Sequence, residues 1–103
     1  MALKVFWSPE AETQLLNLLK YLEENWGEPS VRKFAQKLDA TIEVIRFFPE
    51  AYFLAIKSKN IRRAVIEKMI SVYYRKTSEG IEIITLFDNR MDPKKVKSSL
   101  KKK

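Results

Sequence analysis

The chain has 103 residues, 46% of them hydrophobic, with two glycines, four prolines and a net charge of +7. That length and composition fit one folded domain with a single core and exclude a disordered chain. Cysteine and histidine are both absent, which excludes disulfides, thiolate or imidazole metal sites and a histidine general base, so any chemistry runs on Lys, Arg, Tyr, Asp or Glu and no cofactor is expected.

The N-terminal MALKVFWSPE carries no apolar stretch of signal-peptide length, and no apolar run approaches the ~18 residues of a membrane span. A soluble, cytoplasmic protein without a membrane partner is expected. Residues 3–7 are short and β-prone and run directly into a helix. Ser8 suits the cap and Pro9 the first helical position, and Glu10 and Glu12 favour the positive end of the helix dipole. Ala11, Leu15, Leu18, Leu19, Leu22 and Trp26 recur at three- and four-residue spacings and predict one apolar face, ending at Gly27. Pro29 opens a second helix whose face is Val31, Phe34, Leu38, Ile42 and Ile45, and Pro49 closes it. So short a link predicts an antiparallel helical hairpin. Its charged residues Lys20, Glu23, Glu24, Arg32, Lys33 and Lys37 read as a solvated face or, alternatively, as a partner groove.

Residues 50–60 show no period and read as a loop or irregular edge carrying Lys57 and Lys59. Three strands are then predicted at 61–66, 69–76 and 81–87, joined by links of hairpin length into an antiparallel meander, with Gly80 supplying a positive φ. The expected fold is therefore α+β, with an N-terminal strand, a helical hairpin and a three-stranded meander, the helices packed on one face of a four-stranded sheet. Residues 1–93 form the single domain and 94–103 a basic tail.

Strand alternation sorts the side chains. Ile70, Val72 and Tyr74 should meet the helices, while Ser71, Tyr73 and Arg75 share the other face. The last strand, IEIITLF, is apolar on both sides and belongs inside the sheet. Its second face calls for cover by the C-terminal segment, a bound partner or a second subunit.

No nucleotide loop, zinc spacing or nucleophile elbow is present. What remains is a set of arginines and tyrosines, the side chains best suited to gripping phosphate or a protein partner. Arg62 and Arg63 must point opposite ways, and Arg75 and Tyr73 share a face. Arg90 follows the last strand, where it serves either as a grip or as a turn anchor pinned by Asp88 or Asp92. Tyr73 and Tyr74 also suit a strand for its own sake. Charge is uneven: residues 1–50 carry 6 basic and 8 acidic groups, and residues 51–103 carry 14 and 5. Lys94, Lys95, Lys97, Lys101, Lys102 and Lys103 crowd the end, which fits a basic nucleic-acid-binding module or merely a solubilising terminus.

Across nearly its full length the chain resembles the RelE/ParE superfamily of type II toxin–antitoxin toxins. The marks are Trp7-Ser8-Pro9 with Ala11 and Leu15, Tyr21 with Trp26-Gly27, then Phe34, Leu38, Ile42 and Pro49. They continue through Arg62-Arg63 and Val72-Tyr73-Tyr74-Arg75 to Asp88-Asn89-Arg90-Met91-Asp92-Pro93. The resemblance implies a growth-inhibiting, plasmid-stabilising toxin held by a cognate antitoxin, as a homodimer or a toxin–antitoxin hetero-oligomer. In the RelE-like branch the activity is ribosome-dependent mRNA cleavage, for which Lys57, Lys59, Arg62 and Arg90 would supply the cations. In the ParE-like branch the toxin is a non-nuclease that binds DNA gyrase.

Arg62, Arg63, Tyr73, Arg75 and Arg90 are the implied target- or antitoxin-binding residues. Two departures favour the ParE-like branch. Ser71 and Ala64 stand where the RelE-like pattern carries an arginine and a lysine, and no tyrosine or histidine follows Arg90. The long helical hairpin with Trp26-Gly27 at its tip points the same way.

Overall fold

The computed structural model describes residues 2–67 and 70–88. Strand β1 (Val5–Trp7) passes into helix α1 (Pro9–Trp26) at Ser8. The Ser8 hydroxyl accepts the amide of Ala11 at 3.0 Å, as expected of a cap, and donates to the carbonyl of Ile84 at 2.7 Å. Gly27 alone links α1 to α2 (Glu28–Phe47). Its amide donates to the carbonyls of Glu23 and Leu22, and its carbonyl accepts from Ser30, so one residue at φ 83° ends one helix and starts the next.

After Pro49 the chain forms β2 (Phe53–Ile56), a short 3-10 helix (Lys57–Lys59), β3 (Ile61–Glu67), β4 (Ile70–Thr77) and β5 (Gly80–Asp88). The sheet order is β1-β5-β4-β3-β2, with β1 parallel to β5 and every other pair antiparallel. The α+β class, helical hairpin and meander are as expected, but the sheet has five strands rather than four. Of the two readings of residues 50–60 the irregular edge is the one found: β2 pairs Leu54 with Arg62 and Phe53 with Arg63 at the edge of the sheet, with a register shift before Ile56. Leu54, Ala55 and Ile56 are all half-buried, so the segment lacks the alternation by which a strand is read. Among the described residues no helix is long and apolar enough to cross a membrane.

One face of the sheet carries the main core, where Ala64, Ile66, Ile70, Val72, Tyr74, Ile81, Ile83 and Leu86 meet Ala11, Leu22, Phe34, Leu38 and Ile45 of the hairpin. Ile83 and Leu86 are an odd number of residues apart and still share that face, because a bulge opposite Tyr73 shifts the β5 register. The second face carries a smaller cluster of Ile61 and Ile84, with Ile56 and Tyr73 against it. Both faces of β5 are closed, as its unbroken apolar run requires. Trp26 departs from expectation, being 60% exposed although it continues the apolar stripe of α1.

Tyr74 ties the chain after α2 to the sheet. It is fully buried, packs edge-on against Tyr52 at 6.4 Å and donates its hydroxyl to the carbonyl of Pro49 at 2.7 Å. Burial pushes the hydroxyl up to about 12, while the nearby Arg62 guanidinium pulls it the other way by less. The neutral tyrosine thus stabilises the fold fully below pH 10, and this contribution is lost as pH rises through 12. Chemical denaturation at pH 9 and pH 12 is expected to show a loss on the order of 2–3 kcal/mol from this group, absent in Tyr74→Phe.

Gly80 provides a second test, because it sits at φ +142° with the carbonyl oxygen of Lys4 2.5 Å from where a Cβ would stand. Gly80→Ala is expected to lower stability by about 1–3 kcal/mol, read as a lower urea midpoint, by straining the turn and parting β1 from β5.

Candidate functional site

Strand pairing divides the candidate residues between the two faces of the sheet. On the helix side, Arg62 lies opposite Tyr74 and donates to the carbonyl of Tyr52 at 2.9 Å, with a longer contact to that of Glu50 at 3.4 Å. This arginine is a clip that holds the connection entering β2. On the second face Arg63, Tyr73 and Arg75 come together: Arg63 Nε donates to Ser71 Oγ at 3.2 Å, and Tyr73 packs edge-on against Phe87 at 6.1 Å. Arg75 pairs with Glu82 directly across the ladder at 2.8 Å, with both side chains about 30% exposed. Such a partly exposed pair contributes little stability but holds the guanidinium in place.

This second face is not an open platform at its centre. Ser71, Ile61, Ile84 and Phe87 are all buried, leaving Arg63, Tyr73 and Arg75 half-buried around them. Lys57 and Lys59 lie on the 3-10 helix, Lys57 exposed and Lys59 half-buried. Arg90, Met69 and the lysine-rich tail lie outside the described residues. Ala64 is fully buried against the helices and Ser71 is fully buried on the opposite face, so neither position has room for the long cation of the RelE-like pattern without rearrangement.

Proton-transfer groups are scarce. The Tyr74 hydroxyl is committed to Pro49 and its acidity is suppressed. Glu82 is engaged by Arg75, and Glu67 lies 3.5 Å from Lys37. Among the described residues no cluster of three acidic side chains is placed to hold a metal ion. The arrangement can hold negative charge or a protein surface, and the carboxylate nearest the second-face cations, Glu82, is already engaged by Arg75.

Two further surface features lie away from the second face of the sheet. A groove of about 800 Å³ runs between β1 and the hairpin, with Trp7, Leu15, Leu38 and Ile42 as an apolar floor and Lys4, Asp39, Glu43 and Arg46 on its rim. Arg46 closes one end, its Nε donating to the carbonyl of Leu3 while its own carbonyl accepts the Leu3 amide. The second feature is the hairpin tip, where Tyr21 and Trp26 stack edge-on at 5.6 Å, 40% and 60% exposed. In the sequence the tip is marked by Tyr21 with Trp26-Gly27, at the end of the apolar stripe of α1.

The structural role of Arg62 is directly testable. Arg62→Met keeps the length of the side chain but leaves the Tyr52 carbonyl without its charged donor. It is expected to cost about 1–3 kcal/mol, with faster hydrogen exchange confined to β2 and its partner strand.

Three comparisons bear on this geometry. The sequence profile of the family described as ParE toxin of type II toxin-antitoxin system, parDE, matches residues 5–93. No curated protein matches the chain in sequence. Among solved structures, a chain of the chromosomal ParDE TA system from P. aeruginosa is similar at TM-score 0.70 and 13% identity, over 84% of this chain and 96% of that one. That likeness concerns the fold, and the profile spans every described strand and both helices. The chain belongs to the ParE toxin family of type II toxin–antitoxin systems.

Proposed function

We propose that this toxin arrests growth by binding DNA gyrase, without nuclease activity, and that a cognate antitoxin masks it. The observation that supports the reading is that, among the described residues, the cations and the carboxylate nearest them are engaged with one another or with the backbone. Cleaving RNA through its 2′-hydroxyl needs a base within hydrogen-bond reach as well as positive charge at the phosphate. Here Arg62 is spent on backbone carbonyls, Arg75 on Glu82 and Tyr74 on Pro49. Family membership, which covers residues 5–93, points to the same branch. Arg63, Tyr73 and Arg75 are the proposed contacts on the sheet side, Arg90 is a proposed contact from the sequence alone, and Arg62 serves the fold.

The proposed antitoxin segment occupies the groove beside β1. An extended chain can pair with the outer edge of that strand, set apolar side chains on the floor of Leu15, Leu38 and Ile42, and meet Asp39 and Glu43 with basic residues. The antitoxin and the target would then use different surfaces of one small domain. Action on gyrase places the protein in the cytoplasm.

Expression of the chain alone is expected to stop bacterial growth, and the purified protein to suppress gyrase supercoiling while leaving mRNA on translating ribosomes intact. Cleaved mRNA with normal supercoiling would replace this reading by the RelE-like one. Binding to bulk DNA that weakens steeply with salt, and is lost on removing residues 94–103, would replace it by a nucleic-acid-binding module.

A further inference from the structure

We infer that the tip of the helical hairpin, anchored by Trp26 with Tyr21, is a target-binding surface that fits a protein partner presenting an apolar pocket rimmed by Lys or Arg. The inference rests on the reading that the toxin acts by binding. It adds a contact surface on the hairpin to the sheet-side residues named above.

The starting point is a mismatch between pattern and packing. The apolar stripe of α1 is half-buried or buried from Ala11 through Leu22, and the next residue in step, Trp26, is 60% exposed. The fold therefore leaves its largest side chain type unburied at the end of the hairpin. Tyr21 stands against it edge-on at 5.6 Å. Exposed tryptophan and tyrosine are the side chains most enriched at the energetic centres of protein interfaces, where each fills a pocket at small entropic cost. Rigidity adds to this: Gly27 is the sole residue between α1 and α2, and its amide and carbonyl are both committed to helix ends. The backbone that carries the pair is consequently held in place before any partner arrives.

Charge then selects the class of partner. Residues 21–28 carry three acidic groups, Glu23, Glu24 and Glu28, and no basic one, in a chain of net charge +7. Glu28 is paired with Arg32 at 2.9 Å, while Glu23 and Glu24 make no ion pair among the described residues. An acidic rim repels a phosphate backbone, which separates this surface from any that would bind nucleic acid. It complements a basic protein surface instead. Tip-to-tip contact between two copies of the chain is disfavoured, because two acidic rims brought together repel.

The test compares wild type, Trp26→Ala, Trp26→Phe, Glu23→Lys/Glu24→Lys and the control Leu16→Ala, an exposed apolar site elsewhere on α1. Growth arrest on expression and affinity for purified gyrase are both read, with melting temperature as the check of folding. Trp26→Ala is expected to melt near the wild-type temperature, to lose growth arrest and to bind on the order of 30-fold more weakly. Trp26→Phe should recover most of that loss, the double lysine variant should also be impaired, and Leu16→Ala should match wild type.

Wild type and Trp26→Ala arresting growth equally would overturn the inference and leave the binding-toxin reading standing. A gain of activity in Glu23→Lys/Glu24→Lys would overturn the basic-partner chemistry. If wild type itself arrests nothing and binds no gyrase, the underlying reading and this inference fall together. Arrest by wild type without gyrase binding would remove gyrase as the target, while the growth arm still decides whether the tip is used.

Discussion

The fold depends on how β5 is satisfied along both edges and both faces. A strand buried on both faces cannot leave its amides and carbonyls to water, so each must find a partner within the protein. On one edge β4 supplies a full antiparallel ladder. On the other, β1 covers only Ile81 to Ile83, and the start of α1 takes over. The Ser8 amide and hydroxyl reach the carbonyls of Ile83 and Ile84, and Gln14 Oε1 accepts from the Leu86 amide at 2.7 Å and the Thr85 hydroxyl at 2.9 Å. The helix thus continues the edge that the strand begins. This fixes where α1 starts and how it lies on the sheet, and α2 follows through Gly27.

Arginine chemistry follows from the same economy of space. The sheet is too small to keep its cations idle, and Arg62 and Arg75 each hold a neighbouring segment or strand through a charged hydrogen bond. Residues that a sequence reader takes for phosphate grips are here partly mechanical. What the fold leaves unfilled lies elsewhere, in the groove beside β1 and at the hairpin tip. Both sit on or beside the helices, the groove with Lys4, Asp39, Glu43 and Arg46 on its rim and the tip with Glu23, Glu24 and Glu28 around it.

Local signals made much of this legible. Ser8-Pro9, the three- and four-residue spacing of leucines, Gly27 and Gly80 each act through their own neighbours, so the hairpin and the meander could be placed without tertiary information. The strand at Phe53–Ile56 could not, because Phe53 is exposed and the next three residues are all half-buried at an edge, without alternation. Gln14 was illegible for another reason: its partners lie 71 and 72 residues away, and a single polar residue on a helix gives no hint of a strand edge. The parity of Arg62 and Arg63 was correctly read from alternation, but the carbonyls that claim Arg62 belong to an irregular segment whose path no pattern reveals. Trp26 misled because periodicity tells which way a side chain faces, not whether anything lies beneath it.

The pairing of β1 with β5 has a temporal side. Ser8 and Ile84, which meet through a hydrogen bond, are separated by 76 residues. A ribosome adding about 5–20 residues per second takes on the order of several seconds to make that span. Throughout that interval the first strand has no partner, the start of α1 has no strand edge to dock on, and the main core is missing one wall. The domain cannot be completed in stages from its N-terminus, so a nascent or truncated chain lacking its final strand is also without its finished surfaces. Each molecule therefore has a built-in delay between the synthesis of its first strand and the completion of its fold.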